Sequence, residues 1–415
     1  MALTFRERFE IPKKYNTWSI GLMAAGLLSV IILFITHGSK ADDHVSARFW
    51  ASLLQNSVYF LLVVNAAMFF ICATTLAWGS WALTFRRVTE AISACVPVIG
   101  VITLVILMVL VWGPNHVLYH WADPHSVEHD AALKFKSGFL NRGFFTVWTI
   151  ITIVGWWLLG RKVRHISREI DNRRLSVEEG KRYIWNNTVW SAIYIVLFAL
   201  TVMSSIPWLW LMSLDSHWYS TMYSWYTFAS TFVAACALIT IFVVFLKNLG
   251  YLELTNKEHL HDLAKFQFAF SIFWTYLWFS QFMLIWYANI PEETIYFIKR
   301  IGDGSHSGPY RGVFWLSLII NFLAPFLLLM TRSSKRNYGT VTMMSVVILF
   351  GHWLDFYQMV MPAASPDHMP FMLLDLGIGA GFVGLIMFVT AKSLAKHPLL
   401  AKNHPFLKES IIHHT

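Results

Sequence analysis

Cysteine and charge are scarce in this chain. Its 415 residues include three cysteines, Cys72, Cys95 and Cys236, and 13% charged residues. Each cysteine falls in an apolar stretch. No pair has CxxC spacing and no CxxCH occurs, which argues against iron–sulfur ligation and covalent haem c. The three thiols read as small buried apolar residues. A soluble domain carries about 25% charge. With 56% hydrophobic residues and a mean hydropathy of +0.53, this composition is that of a polytopic membrane protein. A small-residue cleavage site is also missing. The charged segment 1–16, with Arg6, Arg8, Lys13 and Lys14, runs straight into apolar sequence, so no cleavable signal is expected. Paired deep histidines, which a membrane cytochrome b needs, are absent as well. Only His352 lies deep in an apolar segment.

Long apolar runs are abundant, together with 20 Trp and 33 Phe that suit interfacial belts and lipid-facing packing. Windows of about 20 apolar residues predict ten spans near 17–37, 50–79, 91–112, 142–160, 185–206, 224–247, 266–290, 311–331, 340–361 and 369–391. The termini and the loops after even-numbered spans hold 24 of the 32 basic residues. The positive-inside rule therefore puts both termini in the cytoplasm. That asymmetry accounts for most of the +9 net charge without any nucleic acid. The cytoplasmic loop 161–184 is the most basic, and can also meet anionic phospholipid or a partner.

Two external loops end alike. Ser137-Gly138 through Arg142-Gly143 leads into the fourth span, and Ser307-Gly308 through Arg311-Gly312 leads into the eighth. Prolines close the flanking spans at Pro114, Pro207, Pro291 and Pro362. The expected architecture is an all-α polytopic membrane protein. It has two similarly built four-helix bundles, spans 2–5 (50–206) and spans 6–9 (224–361), in a parallel repeat, with spans 1 and 10 peripheral.

The intramembrane chemistry concentrates in one stretch. Residues 351–362 put His352 and Asp355 three apart on one helix face. An ionisable group in a bilayer costs about 2.5–3.5 kcal/mol or more, so such residues mark function by default. Asp375 is expected at similar depth. Gln55, Asn56, Tyr59, Gln281, Tyr287, Tyr357 and Gln358 are expected at the same level, with Glu292 and Glu293 at the outer mouth. Burial and a neighbouring imidazole or carboxylate tune a carboxyl toward proton exchange. A satisfied His–Asp pair that only fixes helix packing stands beside this reading. The inner half carries hydroxyls and Asn321 but no acid. His116 and His120 have helical i, i+4 spacing, as metal ligands can. Asp123-Pro124 interrupts that helix, so an external loop that docks a partner is the plainer reading.

Several strings carry a resemblance. Tyr119-His120-Trp121, the run from Lys136 to Asn141, the run from Ser280 through Gln281, Tyr287 and Glu292 to Thr294, and His352-Trp353-Leu354-Asp355 through Pro362 resemble the ActF family. These are membrane subunits of bacterial alternative complex III, within the broad NrfD/polysulfide-reductase group. The resemblance covers essentially the whole chain and implies a quinol:cytochrome c oxidoreductase of the bacterial cytoplasmic membrane. The implied partners are an ActC-like sister membrane subunit, an iron–sulfur subunit ActB, haem c subunits and often a terminal cytochrome oxidase. It implies menaquinol as reductant, with the iron–sulfur clusters and haem c in those partners and no cofactor held by this chain. On that footing Asp355, with His352 and Asp375, changes protonation as quinol is oxidised in the sister subunit, and Gln281, Tyr287, Tyr357 and Glu292 line a route to the outer surface. Quinol binding through His352 and Asp355 is the alternative within the complex. A stand-alone proton-coupled transporter and a pure scaffold are the alternatives outside it.

Overall fold

The computed structural model describes residues 8–414 except 41, 172, 174 and 371; Arg6 and Arg174 lie outside the described residues. Among the described residues, ten helices are long and apolar enough to cross a membrane: α1 Lys13–Gly38, α2 Asp43–Leu76, α3 Arg86–Trp112, α4 Arg142–Arg168, α5 Val177–Asp215, α6 Met222–Asn248, α7 Lys257–Ala288, α8 Arg311–Leu328, α9 Tyr338–Ala364 and α10 Leu373–Lys396. Their starts follow from side chains that take up orphan backbone N–H groups. Asp42, Asn141, Asn256 and Asn337 cap α2, α4, α7 and α9, and Ser176 with Glu179 makes a capping box on α5. Asn289 ends α7 in the left-handed conformation (φ 49°), and Pro291 opens the short helix Pro291–Ile301.

Proline sets the irregular turns. The π-helical turns Thr201–Ser205 in α5 and Ile319–Leu323 in α8 each end two residues before a proline, Pro207 or Pro325. A proline ring clashes with the carbonyl one turn back, and a widened turn accommodates it.

Helices α2–α5 pack as one four-membered ring and α6–α9 as another, joined where α2 meets α6 and α9. The helix that opens each ring, α2 or α6, is the most enclosed. Helix α1 lies along α10, outside both rings. The two backbones nearly touch at Gly26 and Gly381, where a Cβ on Gly26 would stand 2.4 Å from the Gly381 Cα. Small residues allow such close approach between membrane helices. The two rings repeat a detail. Tyr119 donates to the Trp210 carbonyl (2.7 Å) and Tyr310 to the Ser365 carbonyl (2.8 Å), in each case three residues past a proline, Pro207 or Pro362.

Loops sort to two ends. The C-terminal segment bonds to the loops after α2, α4 and α6, through Ser410–Trp81, Asn403–Ile170 and Asn256–His413. This is the basic end. At the far end Lys299 meets Asp215, and Trp218 donates to the Glu293 carbonyl. The chain is thus an all-α, multi-pass membrane protein.

Several span edges differ from those the hydropathy windows give. Helix α2 begins at Asp43 and so includes Arg48, α5 continues to Asp215, α7 begins at Lys257, and α9 continues to Ala364. Polar residues extend these helices through caps and ion pairs, which a hydropathy window does not register.

Candidate functional site

Asp355 lies on the inward face of α9, completely buried between α6 and α7. Its carboxylate accepts three hydrogen bonds. Tyr226 of α6 donates to Oδ1, Trp274 Nε1 of α7 donates to Oδ2 at 3.0 Å, and Gln358 Nε2, one turn on, donates to Oδ1 at 3.1 Å. All three donors are neutral, and among the described residues no cation forms an ion pair with Asp355. The group is therefore held in place by neutral donors and not by a counter-charge.

His352 sits one turn earlier on the same face. It is fully buried and shares a 3.0 Å hydrogen bond between Nδ1 and Ser230 Oγ of α6. The Trp274 ring stands edge-on to it at 5.4 Å. Its Nε2 is buried with no partner. His352 and Asp355 thus share a wall of α6 and α7 but are not bonded to each other. The imidazole–carboxylate pair considered from the sequence is replaced by two separately tethered groups, because Ser230 and Tyr226 reach them first.

Unpartnered polar atoms cluster around this point. Ser271 Oγ, Ser317 Oγ, both side-chain atoms of Asn321, and Gln358 Oε1 are buried without partners. Asn321 sits in the π turn of α8 against Gly351, where a Cβ would stand 2.1 Å from its Oδ1. Toward the basic end, Gln267 Nε2 donates to Thr240 Oγ1 (2.8 Å), and Ser345 Oγ donates to Gln267 Oε1 (3.2 Å). An unpaired buried polar group costs about 1–3 kcal/mol. Polar sites of this kind hold water in proteins.

Asp375 belongs to a different arrangement. It lies in the first turn of α10, with Arg48 of α2 bonded to both its oxygens at 2.9 and 2.5 Å. Arg48 also bonds Ser52. Asp355 is nine residues from the end of α9, about 14 Å at 1.5 Å per residue, and Asp375 only two from the start of α10, about 3 Å. The expectation of a shared relay is corrected by the guanidinium, which ties Asp375 to α2 apart from the Asp355 cluster. Breaking a buried pair of this kind costs about 3–5 kcal/mol.

The expected outer route also moves. Gln281 is buried, but Tyr287 is 83% exposed on the outer face of α7 and Glu292 is exposed. Tyr287 points away from Asp355, since α7 rotates by about 100° per residue and its Trp274–Gln281 face meets the ring, and Glu292 lies in the first turn of the short helix Pro291–Ile301. Tyr357 is buried and donates to the Pro370 carbonyl (3.1 Å), outside the Asp355 cluster. The polar path toward the far end instead passes Gln358. Its carbonyl accepts from Arg300 Nε (3.0 Å), and Arg300, itself buried, stands 3.7 Å from Asp215, which binds Lys299 at 2.6 Å. Sequence reading missed Tyr226, Ser230, Trp274, Asp215 and Arg300. The i, i+4 spacing of Tyr226 and Ser230 was the one signal that could have flagged a polar stripe on α6.

The basic end of the first ring holds a further buried acid. Glu90 of α3 pairs with Arg86 (3.1 Å) and Arg87 (2.8 Å), and Arg87 also bonds Asp171. The inner half thus has an acid after all. Glu90 stands one residue outside the hydropathy span 91–112, but α3 begins at Arg86 and buries it. Burial pushes the Asp171 carboxyl up, opposed by Arg87. In the histidine-rich loop, His116 Nε2 accepts from Arg142 (3.1 Å), and burial first, then Arg142, lowers the His116 pKa. Among the described residues, no three His, Cys, Asp or Glu side chains converge as a metal site would require.

No protein-family model matches the chain, and no curated protein matches it.

Proposed function

We propose that the chain is a membrane subunit of the ActF type in a quinol:cytochrome c oxidoreductase, carrying no redox centre and moving protons through its second ring as menaquinol is oxidised in an ActC-like sister subunit. The basic end faces the cytoplasm of a bacterium on this reading, by the positive-inside rule. An iron–sulfur subunit and haem c subunits supply the electron path, and a terminal oxidase receives the electrons. One observation carries the proton role. Asp355 is a fully buried carboxyl without a counter-cation, bonded by three neutral donors and next to an imidazole whose Nε2 is free. Protonation there strands no cation, and the three donors support the carboxylate when the proton leaves. Water bound at His352 Nε2, Ser271 and Asn321 would link it toward the basic end. Gln358, Arg300 and Asp215 would link it toward the far end.

Quinol binding at this point is the weaker reading. The large apolar groove among α1, α2, α6, α9 and α10 is walled by Tyr59, Trp353 and Phe242, and its lining includes neither His352 nor Asp355.

The test has two parts. The full chain, purified from its native membrane in mild detergent, should bring haem c and iron–sulfur subunits with it, and their absence overturns the complex. In vesicles holding that complex, Asp355→Asn should keep quinol:cytochrome c turnover and lower the protons moved per electron. An unchanged ratio removes Asp355 from proton transfer.

A further inference from the structure

Cations at the basic end are mostly paired. Arg86 and Arg87 hold Glu90, Lys265 holds Asp262, Arg336 holds Glu258 and Arg173 holds Glu179. One place breaks this pattern. Between the basic ends of α4 and α10 lies a cleft of about 670 Å³ lined by Arg161, Arg164, Arg168, Lys392 and Lys396. Its one carboxylate, Glu169, is turned to His165 at 3.2 Å. Among the described residues none of the five cations makes an ion pair. Arg164 is buried and donates to the Ser93 carbonyl and hydroxyl, and Arg168 Nε is buried with no partner at all. Burial and the nearby Arg168 and Arg87 lower the pKa of His397, which also lines the cleft, as a positive field requires. Five converging cations with no ion pair of their own repel one another, and an anion in the cleft would relieve that repulsion.

The surroundings specify the kind of anion. Ala94 lines the cleft, and Val98, Val101 and Val105 follow on the same face of α3, all exposed. Arg161 lines it from α4, with Trp157, Val154 and Ile150 exposed on that helix face. Two adjacent apolar stripes thus run from the charged cleft along the membrane-crossing length of α3 and α4. Lys392 Nζ stands 4.0 Å over the Phe388 ring, with its stem along apolar surface. A charged end joined to two apolar tracks matches one ligand chemistry.

We propose that this cleft is a binding site for an anionic phospholipid, with its phosphate headgroup among Arg161, Arg164, Arg168, Lys392 and Lys396 and its acyl chains along the exposed faces of α3 and α4. Basic pockets between membrane helices at the cytoplasmic side bind such headgroups, at roughly 5-fold in affinity per cation. The site is independent of the proton path and of the identity of any partner subunit.

The experiment uses the full chain purified in mild detergent and placed in nanodiscs of phosphatidylcholine containing a minority of phosphatidylglycerol. Retained lipids are counted by native mass spectrometry after release. The unaltered chain should retain phosphatidylglycerol in preference to phosphatidylcholine. The triple variant Arg161→Gln, Lys392→Gln, Lys396→Gln, all exposed positions, should retain it about 100-fold less well. A control with the same loss of charge elsewhere at this end, Lys181→Gln, Arg182→Gln, Lys408→Gln, should retain it unchanged. Equal retention by the two variants overturns the site. Displacement of the lipid by millimolar inorganic phosphate overturns it in favour of a soluble anion. Resistance to phosphate, together with loss on Val101→Asn, supports the lipid.

Discussion

The two four-helix rings share a plan but treat buried acid in opposite ways. In the first ring the buried acid is Glu90, at the basic end, clamped between Arg86 and Arg87. Its interior is held by uncharged pairs such as Tyr194 to Asn65 Oδ1 at 2.6 Å and Trp156 to Thr201 at 3.0 Å. In the second ring Asp262, at the basic end, is likewise paired, with Lys265, but Asp355 is fully buried well inside the helix and bonded by neutral donors alone. A clamped carboxylate stabilises, since its charge is compensated and removing it strands a cation. An unclamped carboxyl can change protonation. One architecture thus supports an anchor in one copy and a titratable centre in the other.

The largest expected effect tests that contrast directly. Glu90→Gln leaves Arg86 and Arg87 under-compensated and should cost about 3–5 kcal/mol of stability. Asp355→Asn strands no cation but turns an amide N–H2 toward neighbouring donors, and should cost about 1–3 kcal/mol. Thermal melting of both variants in the same detergent measures the difference, and equal losses would erase the distinction between the rings. A smaller effect is expected at Gly351. Alanine there meets Asn321 Oδ1 and Ile320, so Gly351→Ala should destabilise by about 1–3 kcal/mol through overpacking. It should also perturb proton transfer, because it displaces Asn321 beside His352. Melting together with proton flux separates a packing role from a polar one.

The smallest effect concerns the C-terminal segment packed beneath the first ring. His404 lies against Tyr183, and burial, then Arg86 and Arg87, lower its pKa to about 3. A base whose folded pKa lies below its unfolded value binds more protons when undocked. Docking strength should be complete above about pH 6.5 and fall as pH drops, by at most ~1.4 kcal/mol per unit. Hydrogen exchange across 397–414 should rise below pH 6.5 in the native chain. His404→Gln should make that profile shallower, with His397 accounting for the remainder, and an unchanged profile would assign it to another group.

Much of the fold was legible because a bilayer leaves few choices. Apolar runs of span length must be helices, and Lys and Arg must collect on one side. The repeat was legible in two Ser-Gly to Arg-Gly loops, and the Tyr119 and Tyr310 bonds give it a structural counterpart. His352 and Asp355 stood out because charge inside an apolar run is costly. Their partners did not. Tyr226, Ser230 and Trp274 look in sequence like ordinary residues of aromatic-rich helices, and only packing turns them toward Asp355. The pairing of Asp375 with Arg48 spans 327 residues of sequence and is invisible to any local window. Tyr287 shows the converse. Its neighbours made it look polar and functional, yet the rotation of α7 turns it outward.

The sequence by itself determined the number of spans, their approximate positions and the presence of two ionisable groups in α9, because these depend on the transfer cost of each residue, which is local. Only the tertiary structure decided which acid is neutralised, which is left open, and where unpaired cations gather. Those outcomes depend on distances between helices remote in the chain, and the energy of a buried charge is set by what stands within a few ångströms of it.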